Sequence, residues 1–304
     1  NYFSLKILFL KFILIPYFCM LYQKSMTKFF YILITFTVLS SCSEFQKALK
    51  AEGEGAIATK FKMGEDLYNA GKFSKANRLF AQIVPNYRGK PQAEKLMYLY
   101  SNSFYEMKDY YVAGYQFERF ASSYPKSEKA GEAAFLGAKS AYQLSPVFSK
   151  DQKETKEAIE KLQEFINLYP DSKHVAEANK LVQELDFKLE KKAYEIAKQY
   201  NLISDYPASV RSFDNFIFEF PGSKLREDAL FYRLDSAYKL AVNSVEVKKT
   251  RQTGLIYLKK ERLETAKDYS DAFKKSYAQS KYMEDVDNMV SEINKELKNY
   301  STKS

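Results

Sequence analysis

The sequence contains almost no cysteine, histidine or tryptophan. Its 304 residues include two Cys, one His and no Trp. Both cysteines, Cys19 and Cys42, fall within the first 42 residues, so the rest of the chain cannot form a disulfide framework or a thiolate metal site. The single histidine, His174, has no second histidine with which to hold a metal or share a proton. We therefore expect no cofactor and no metal, and we interpret His174 as a surface residue near the start of a helix.

Catalytic sequence motifs are also lacking. The chain has no P-loop, no G-x-S-x-G motif and no H-E-x-x-H motif. Its many carboxylates are scattered, which is typical of solvated helical faces with i,i+4 pairing. The sequence therefore predicts a protein that is not an enzyme.

Glycine and proline are scarce, with 10 and 8 residues, whereas 46% of the chain is hydrophobic and 16% is aromatic. Few helix breakers, together with abundant Lys, Glu, Ala and Leu, favour α-helix. The apolar content is high enough for the chain to bury a core.

Acidic side chains are absent from the first 41 residues, which contain four lysines. From Cys42 onward there are 43 basic and 38 acidic residues, and they are dispersed along the chain. Because basic and acidic residues are nearly equal in number and no nucleic-acid-binding module is recognisable, we expect no binding of nucleic acid.

The N-terminal segment has the layout of a secretory leader. From Met26, the sequence MTKFFYILITFTVLSSC has a basic start, an apolar block too short for a comfortable membrane span, and small residues before Cys42. The tetrapeptide Leu-Ser-Ser-Cys at 39–42 resembles the bacterial lipobox. That resemblance implies cleavage after Ser41, a diacylglyceryl group on the Cys42 sulfur and acylation of the freed amine; two or more acyl chains anchor a protein stably. The alternative is an incidental cysteine in a plain signal peptide or a signal anchor.

Residues 1–25 precede Met26, are also apolar, and begin with Asn1. We interpret them as sequence upstream of the true start, translated in frame but not part of the protein. If they do belong to the protein, the leader has two apolar blocks, which favours the signal-anchor alternative. The predicted organisation is a leader (1–41), a lipidated linker (42–56), a folded body (57–299) and a short tail (300–304).

One motif recurs in the body as ANRLFAQIVPNYRG, AGYQFERFASSYPKS, AIEKLQEFINLYPDS and SVRSFDNFIFEFPGS. Each copy has a small residue, then apolar residues four and seven positions later, and an aromatic residue four positions further on. These spacings place the side chains on one face of a helix. A fifth, degenerate copy has Ala278 where proline is expected. The stripe positions are Ala76, Phe80, Ile83, Tyr87; Ala113, Phe117, Phe120, Tyr124; Ala158, Leu162, Phe165, Tyr169; Ser209, Phe213, Phe216, Phe220; and Ala266, Ser270, Phe273, Tyr277.

A second helical segment precedes several copies, with Gly64, Ser101 or Ala197 about twelve positions before the small residue of the motif. This pattern resembles the tetratricopeptide repeat, a pair of antiparallel helices, although Arg88 stands where repeat one should have proline. The resemblance implies an all-α fold, a superhelix of about five helical hairpins with a C-terminal capping helix. Two insertions, LSPVFSKDQKET and NSVEVKKTRQTGLIYLKKE, separate the helices of repeats three and five. The alternative is a generic helical bundle.

The lipobox, the repeats with their Tyr-Pro-x-Ser endings and the closing helix together resemble the BamD family of outer-membrane assembly lipoproteins, from Cys42 to the C-terminus. The resemblance implies a lipid-anchored protein on the periplasmic face of the outer membrane. It also implies contacts with BamA and other barrel-assembly subunits, and capture of unfolded outer-membrane protein precursors by the N-terminal repeats. The alternatives are another lipid-anchored tetratricopeptide adaptor, for division, wall synthesis or motility, and a cell-surface solute-binding lipoprotein.

The first helices of repeats one and two carry the candidate peptide-binding residues, because these helices line the inner face of such a superhelix. Aromatic rings interleaved with amides would stack on an aromatic peptide and hydrogen-bond its backbone. The alternative is that Phe61 and Tyr98 only pack against the neighbouring repeat. The candidates are Phe61, Glu65, Tyr68, Asn69, Tyr98, Asn102 and Tyr105.

The second insertion is rich in lysine and follows Val242. Since the BamD family places its BamA contacts mostly toward the C-terminal repeats, the resemblance makes Lys248, Lys249 and Lys259 candidates for partner docking. A solvated loop is the alternative reading of this charge run.

Replacement of Cys42 tests the lipid anchor. We expect Cys42→Ala to leave the protein soluble or unprocessed, because no acyl chain can then be attached to hold it on a bilayer. Membrane fractionation and intact mass measure the outcome. Unchanged membrane retention of Cys42→Ala would contradict the lipobox.

Overall fold

The structure, a computed structural model, describes residues 44–244, 248–251 and 254–301. The predicted leader and the lipidation candidate Cys42 lie outside these residues.

Regular structure in the described chain is helical apart from one two-stranded hairpin. A short helix, α1, covers residues 44–50. The longer helices are α2 (Glu54–Asn69), α3 (Phe73–Ile83), α4 (Ala93–Glu106), α5 (Tyr110–Ser123), α6 (Ala130–Leu144), α7 (Lys153–Leu168), α8 (Val175–Leu202), α9 (Tyr206–Glu219), α10 (Arg226–Val242), α11 (Leu258–Ser276) and α12 (Met283–Ser301). A 3₁₀ helix (Val84–Tyr87) follows α3, and strands β1 (Lys248–Arg251) and β2 (Gly254–Tyr257) pair antiparallel. The predicted all-α class, with helices packed in sequential pairs, is confirmed.

Each repeated motif forms the second helix of a pair and buries its stripe. The small residues that begin the five stripes are all fully buried, and so are the residues four and seven positions later. Of the closing aromatic residues, Tyr87 is buried and the other four are half-buried. Small side chains let the paired helix approach, and the larger ones fill the space beside it. The buried small residues are Ala76, Ala113, Ala158, Ser209 and Ala266.

Helices α2 and α3 approach each other closely at Gly64 of α2. A Cβ added there would lie 2.9 Å from Cδ1 of Phe80 and closer still to Cε1. Phe80 is itself fully buried in the stripe of α3. The sequence prediction that a small residue is needed at this position therefore has a direct steric reason.

Three hairpin turns share one geometry. Gly71, Lys108 and Ser204 have positive φ angles of 70°, 62° and 65°. In each turn the following residue donates its N–H to the carbonyl oxygen five residues earlier, at 2.8–2.9 Å. The carboxylates of Asp109 and Asp205 then cap the first turns of α5 and α9. Glycine is favoured where φ is positive, and the other two turns adopt a positive φ with Lys108 and Ser204.

The Tyr-Pro-x-Ser endings form the turns that lead into the next pair. The hydroxyl of Ser127, Ser172, Ser223 or Ser280 accepts a hydrogen bond from the N–H two residues later, at 3.0–3.3 Å. Each serine N–H also donates to the carbonyl of the aromatic residue three positions earlier. The fifth copy makes the same turn with Ala278 in place of proline. The serine is therefore sufficient for the geometry of the turn, and proline is not required.

Contacts divide the chain into two compact units, Asn1–Ala133 and Ala134–Ser304. In the first unit, the stripe of α3 packs with Ala93 and Leu96 of α4. Helix α1 adds a smaller cluster, in which Phe45 and Ala48 are buried against Leu79 of α3.

In the described part of the second unit, apolar clusters join consecutive helices. One joins α6, α7 and the N-terminal half of α8, and another joins the C-terminal half of α8 with α9 and α10. Two more join α10, α11 and α12. The closing helix α12 buries Val286 and Ile293 in these clusters, as the sequence predicted for a capping helix.

Three features differ from the sequence expectations. Residues 44–50 form a helix within the segment expected to be a linker, since Phe45, Ala48 and Leu49 share one helical face. Helix α8 is 28 residues long and joins the end of repeat three to the first helix of repeat four without a break. The second insertion contains the β1–β2 hairpin, which suits the β-branched and aromatic residues in TGLIY.

His174 lies directly before α8, as predicted, but it is half-buried and not a surface residue. Its ring stacks on Phe135, with ring centroids 4.6 Å apart and planes 7° apart. The aromatic contact accounts for its burial.

Substitution of two glycines in one helix tests the packing at Gly64. We expect Gly64→Ala to lower the free energy of unfolding by about 1–3 kcal/mol, because the new methyl group collides with the Phe80 ring. Gly55→Ala, also in α2, is the matched control: nothing lies within 4 Å of the added Cβ, so better helix propensity should raise stability by up to about 1 kcal/mol. Urea unfolding measures both variants, and equal effects would contradict the steric account.

Candidate functional site

The seven predicted peptide-binding residues lie on the first helices of the first two hairpins. Phe61, Glu65, Tyr68 and Asn69 are on α2, and Tyr98, Asn102 and Tyr105 are on α4. We call these seven residues the tyrosine face. All of them lie in the first compact unit. Asn69 is exposed and the other six are half-buried, so each of the six makes contacts within the protein and keeps some surface exposed.

Tyr68 and Asn102 link α2 to α4. The Asn102 side-chain amide donates a hydrogen bond to the Tyr68 hydroxyl, and the Tyr68 ring packs edge-on against Phe73, 5.3 Å away between centroids. Burial raises the pKa of the Tyr68 phenol, the Asn102 hydrogen bond opposes that rise, and the carboxylates of Glu106 and Glu132 add to it. Tyr68 therefore stays protonated and can donate a hydrogen bond at neutral pH.

Tyr98 links α4 to the first turn of α6. Its hydroxyl donates to Glu132 Oε1 at 2.8 Å, and its ring packs edge-on against Phe120 at 5.6 Å. Lys129 Nζ lies 5.2 Å from the centroid of the Tyr98 ring and 2.7 Å from Glu132 Oε2. Burial, and then the hydrogen bond to Glu132, raise the pKa of Tyr98 far above its ordinary value.

Phe61 and Glu65 surround a lysine of α4. The Phe61 ring lies 5.4 Å from that of Tyr87. Lys95 forms an ion pair with Glu65, and its ammonium also lies 6.0 Å from the Phe61 centroid. Lys95 is 63% exposed and therefore presents positive charge at the edge of the tyrosine face.

Tyr105 completes the stripe on α4. Its ring lies 5.4 Å from Tyr110 and 6.4 Å from Phe117, both on α5, in edge-on arrangements. Asn69 takes part in none of the contacts described above. The structure therefore joins six of the seven predicted residues to neighbouring helices through rings, hydrogen bonds or an ion pair.

Sequence reasoning missed three charged residues beside these six, namely Lys95, Lys129 and Glu132. The spacing between repeats could have identified one of these three residues. Tyr68 and Asn102 are 34 positions apart, and so are Tyr98 and Glu132. A search for polar partners one ideal repeat after each tyrosine would have found Glu132.

A related cluster occurs in the second unit. Lys198 Nζ lies 4.9 Å from the centroid of Tyr232 and 5.8 Å from that of Tyr194. The Tyr282 hydroxyl donates to Asp228 at 2.6 Å. Burial raises the pKa of the Asp228 carboxyl, but hydrogen bonds from Tyr282 and Lys281 outweigh that effect and hold the pKa below its ordinary value. Asp228 is therefore ionised at neutral pH and joins α10 to the turn before α12.

The three lysines predicted to dock a partner lie in two different elements. Lys248 and Lys249 are in β1, opposite Tyr257 and Ile256 of β2. Lys259 is in the first turn of α11, and its ammonium lies 3.1 Å from Glu296 of α12. With only 19% of its side chain exposed, Lys259 contributes to the packing of α11 on α12 and offers little free charge to a partner.

The chemistry of the tyrosine face suits binding. It offers aromatic edges, hydroxyl and amide groups, and charges of both signs. Within the described residues, no three His, Cys, Asp or Glu side chains come together as they would in a metal site. Across the same residues, no helix combines the length and apolar character that a membrane span requires.

The paired helices, the small-residue contacts and the serine turns define a helical-hairpin repeat protein of the tetratricopeptide type. A family model described as "YfiO: Outer membrane lipoprotein" matches residues 55–253. The chain belongs to this outer membrane lipoprotein family, which is the BamD family that the sequence resembles.

One curated relative, from Aquifex aeolicus (strain VF5), is named "Putative outer membrane protein assembly factor BamD". It is 28% identical over 240 residues, which cover 78% of this chain and 76% of the relative.

Two solved structures are similar at lower levels. The TPR2AB domain of yeast Sti1 in complex with pHSP90 has a TM-score of 0.35 and 12% identity, covering 80% of this chain and all of that one. A kinesin light chain from Podospora anserina with nearly identical TPR-like repeats has a TM-score of 0.29 and 12% identity, covering 76% of this chain and all of that one.

Proposed function

We propose that the protein is a lipid-anchored scaffold of the outer-membrane β-barrel assembly machinery. In this role Cys42 carries the acyl chains, the folded body faces the periplasm, and the protein binds BamA, other assembly subunits and unfolded barrel precursors without altering them chemically. Membership of an outer membrane lipoprotein family supports the location. The similarity to the Aquifex protein, along three quarters of both chains, supports the assembly role.

The observation that carries the binding role is the half-buried state of the tyrosine face. The rings of Tyr68, Tyr98 and Tyr105 are held by edge-on contacts with neighbouring rings. Rigid aromatic side chains lose little conformational entropy when a ligand binds, which makes them effective anchors. Because the hydrogen bonds of Tyr68 and Tyr98 fix their rings before a ligand arrives, the face is preorganised.

The chemistry of barrel precursors fits such a face. Transmembrane barrel strands alternate apolar and polar residues and place aromatic girdles at the membrane interfaces. An extended strand of this kind presents its apolar and aromatic side chains on one face, at every second residue. The tyrosine face can stack on such rings, while Asn69 and Asn102 provide amides for the free backbone groups of an unpaired strand.

Affinity purification tests the assembly role. We expect the tagged, lipidated chain, extracted from envelopes with mild detergent, to bring down BamA and other barrel-assembly subunits, identified by mass spectrometry. A deletion of residues 245–256 tests docking through the second insertion: it should weaken BamA recovery and keep the helical circular dichroism signal. Recovery of division, wall-synthesis or motility proteins without BamA would contradict the proposal and favour the other adaptor class.

Peptide binding tests the tyrosine face. The probe is a synthetic peptide of about ten residues with alternating aromatic side chains, the length of a barrel strand. We expect Tyr68→Ala with Tyr105→Ala to weaken binding at least about tenfold, since buried aromatic anchors contribute about 1–2 kcal/mol each. Fluorescence anisotropy measures the affinity, and thermal melting shows whether the variant remains folded.

The matched control is Tyr111→Ala with Tyr115→Ala. These tyrosines are on α5 and are 78% and 58% exposed, so their loss should leave peptide affinity unchanged. Equal affinity of the folded Tyr68/Tyr105 variant and the wild type would remove the tyrosine face as the site.

A further inference from the structure

Basic side chains are concentrated on the N-terminal helix of the described chain and on the start of α3, the helix against which it packs. Helix α1 contains Lys47 and Lys50, and the start of α3 contributes Lys72, Lys75 and Arg78. We call these five residues the basic face. Lys47, Lys50, Lys72 and Arg78 are exposed, and Lys75 is half-buried. Glu44 is the one acidic residue within α1 and α3, so the two helices present a net positive surface.

The sequence around α3 is also rich in basic residues. Between Asp66 and Glu94 there are five basic residues and no acidic residue. Over the whole chain from Cys42, by contrast, basic residues exceed acidic ones only by 43 to 38. Positive charge is therefore concentrated in this part of the first unit, as it also is in the second insertion, where five basic residues and no acidic residue lie between Glu246 and Glu261.

Phe45 holds the two halves of the basic face together. Its ring is 4% exposed and is buried with Ala48 against Leu79 of α3. Lys75 Nζ and Arg78 Cζ lie 5.4 and 5.6 Å from the Phe45 ring centroid. These contacts fix the position of α1 on α3, so the lysines of α1 move with the folded unit.

The lipidation candidate lies immediately before this helix. Cys42 precedes Glu44 by two residues, which can span at most about 7 Å. Lys47 is three residues further along α1, an axial rise of about 4.5 Å. A lipid on Cys42 would therefore hold the backbone of Lys47, the nearest residue of the basic face, within about 12 Å of the attachment point, close to the distance of about 8–10 Å over which charges act at physiological salt.

We propose that the basic face of α1 and α3 binds the anionic surface of the bilayer in which the protein is anchored. This inference rests on the lipid anchor of the proposed function. The phosphates of lipid headgroups attract Lys and Arg side chains, and each cation near the surface contributes to binding. The two signals, acyl chains and a basic patch, would together set how the first unit lies against the membrane.

Vesicle binding by the unlipidated chain tests the proposal. The chain from residue 42 onward, carrying Cys42→Ser, is sedimented with vesicles of phosphatidylcholine alone or with about 30% phosphatidylglycerol, an anionic surface. We expect binding to the anionic vesicles only, and loss of binding as salt is raised. Equal binding to both vesicle types, or no binding to either, would overturn the proposal.

Matched charge variants locate the binding surface. Lys47→Gln, Lys50→Gln and Lys72→Gln together should weaken vesicle binding about 100-fold, since each cation contributes about fivefold. These three side chains are exposed, so the fold should be unaffected. The control, Lys156→Gln, Lys173→Gln and Lys224→Gln, removes the same charge from exposed positions of the second unit and should bind as wild type.

Two outcomes of the variants would overturn the proposal. If the basic-face variant binds like wild type, the face does not contact the bilayer. If the control loses as much affinity, only net charge matters and no particular surface is used. Failure of the proposed function is a separate result, because it would appear as the absence of BamA from the affinity purification and not in vesicle binding.

Discussion

The contact between a small residue on one helix and a buried aromatic ring on its partner is the constraint on which the hairpins depend. At Gly64 and Phe80 the approach leaves no room for a methyl group. Where the corresponding residue is Ala197 or Ser101, it is also fully buried. Close approach allows the aromatic stripe of the second helix to be completely enclosed, and most of the stability of such short helices comes from this enclosure and not from intrinsic propensity.

The same constraint explains why the tyrosine face is half-buried. The rings of Tyr68 and Tyr98 pack against the second helix of their own pair, and their hydroxyl groups reach polar residues of the next pair. Tyr68 reaches Asn102 and Tyr98 reaches Glu132 in this way. A packing role and a binding role are therefore compatible for Tyr98, because the contacts that hold its ring also keep its exposed surface in one orientation.

Much of the fold could be predicted from the sequence because it is periodic. The stripe from Ala76 to Tyr87 and its four copies carry the same spacing, and the first three positions of each are buried as expected. The serine turns follow from a four-residue pattern that survives the loss of proline at Ala278. Features that occur once gave no such signal. Helix α1 is only seven residues long and is held by a few contacts of Phe45 and Ala48, which composition alone does not distinguish from a linker.

The candidate site was less predictable for a related reason. The repeat register gives the helix and the face of a residue, and six of the seven predicted residues do make contacts between helices. It does not give the side-chain partners, because these depend on charges such as Lys95 and Lys129 that differ from one repeat to the next. Lys259 shows the limit most clearly: a lysine in a basic insertion reads as free charge, yet its ion pair with Glu296 becomes visible only when α11 and α12 are packed.

Helix α1 and the tyrosine face belong to the same compact unit, and this has a physical consequence for the proposed role. In the proposed role the anchor would act through α1, which Phe45 fixes on α3, and α3 packs its stripe against α2 and α4. A membrane contact at α1 therefore restrains the helices that carry Tyr68 and Tyr98 through packed side chains, without a flexible linker between them. A binding face held in this way has less orientational freedom than one on a long tether, which lowers the entropy lost when an unfolded segment is captured beside the bilayer.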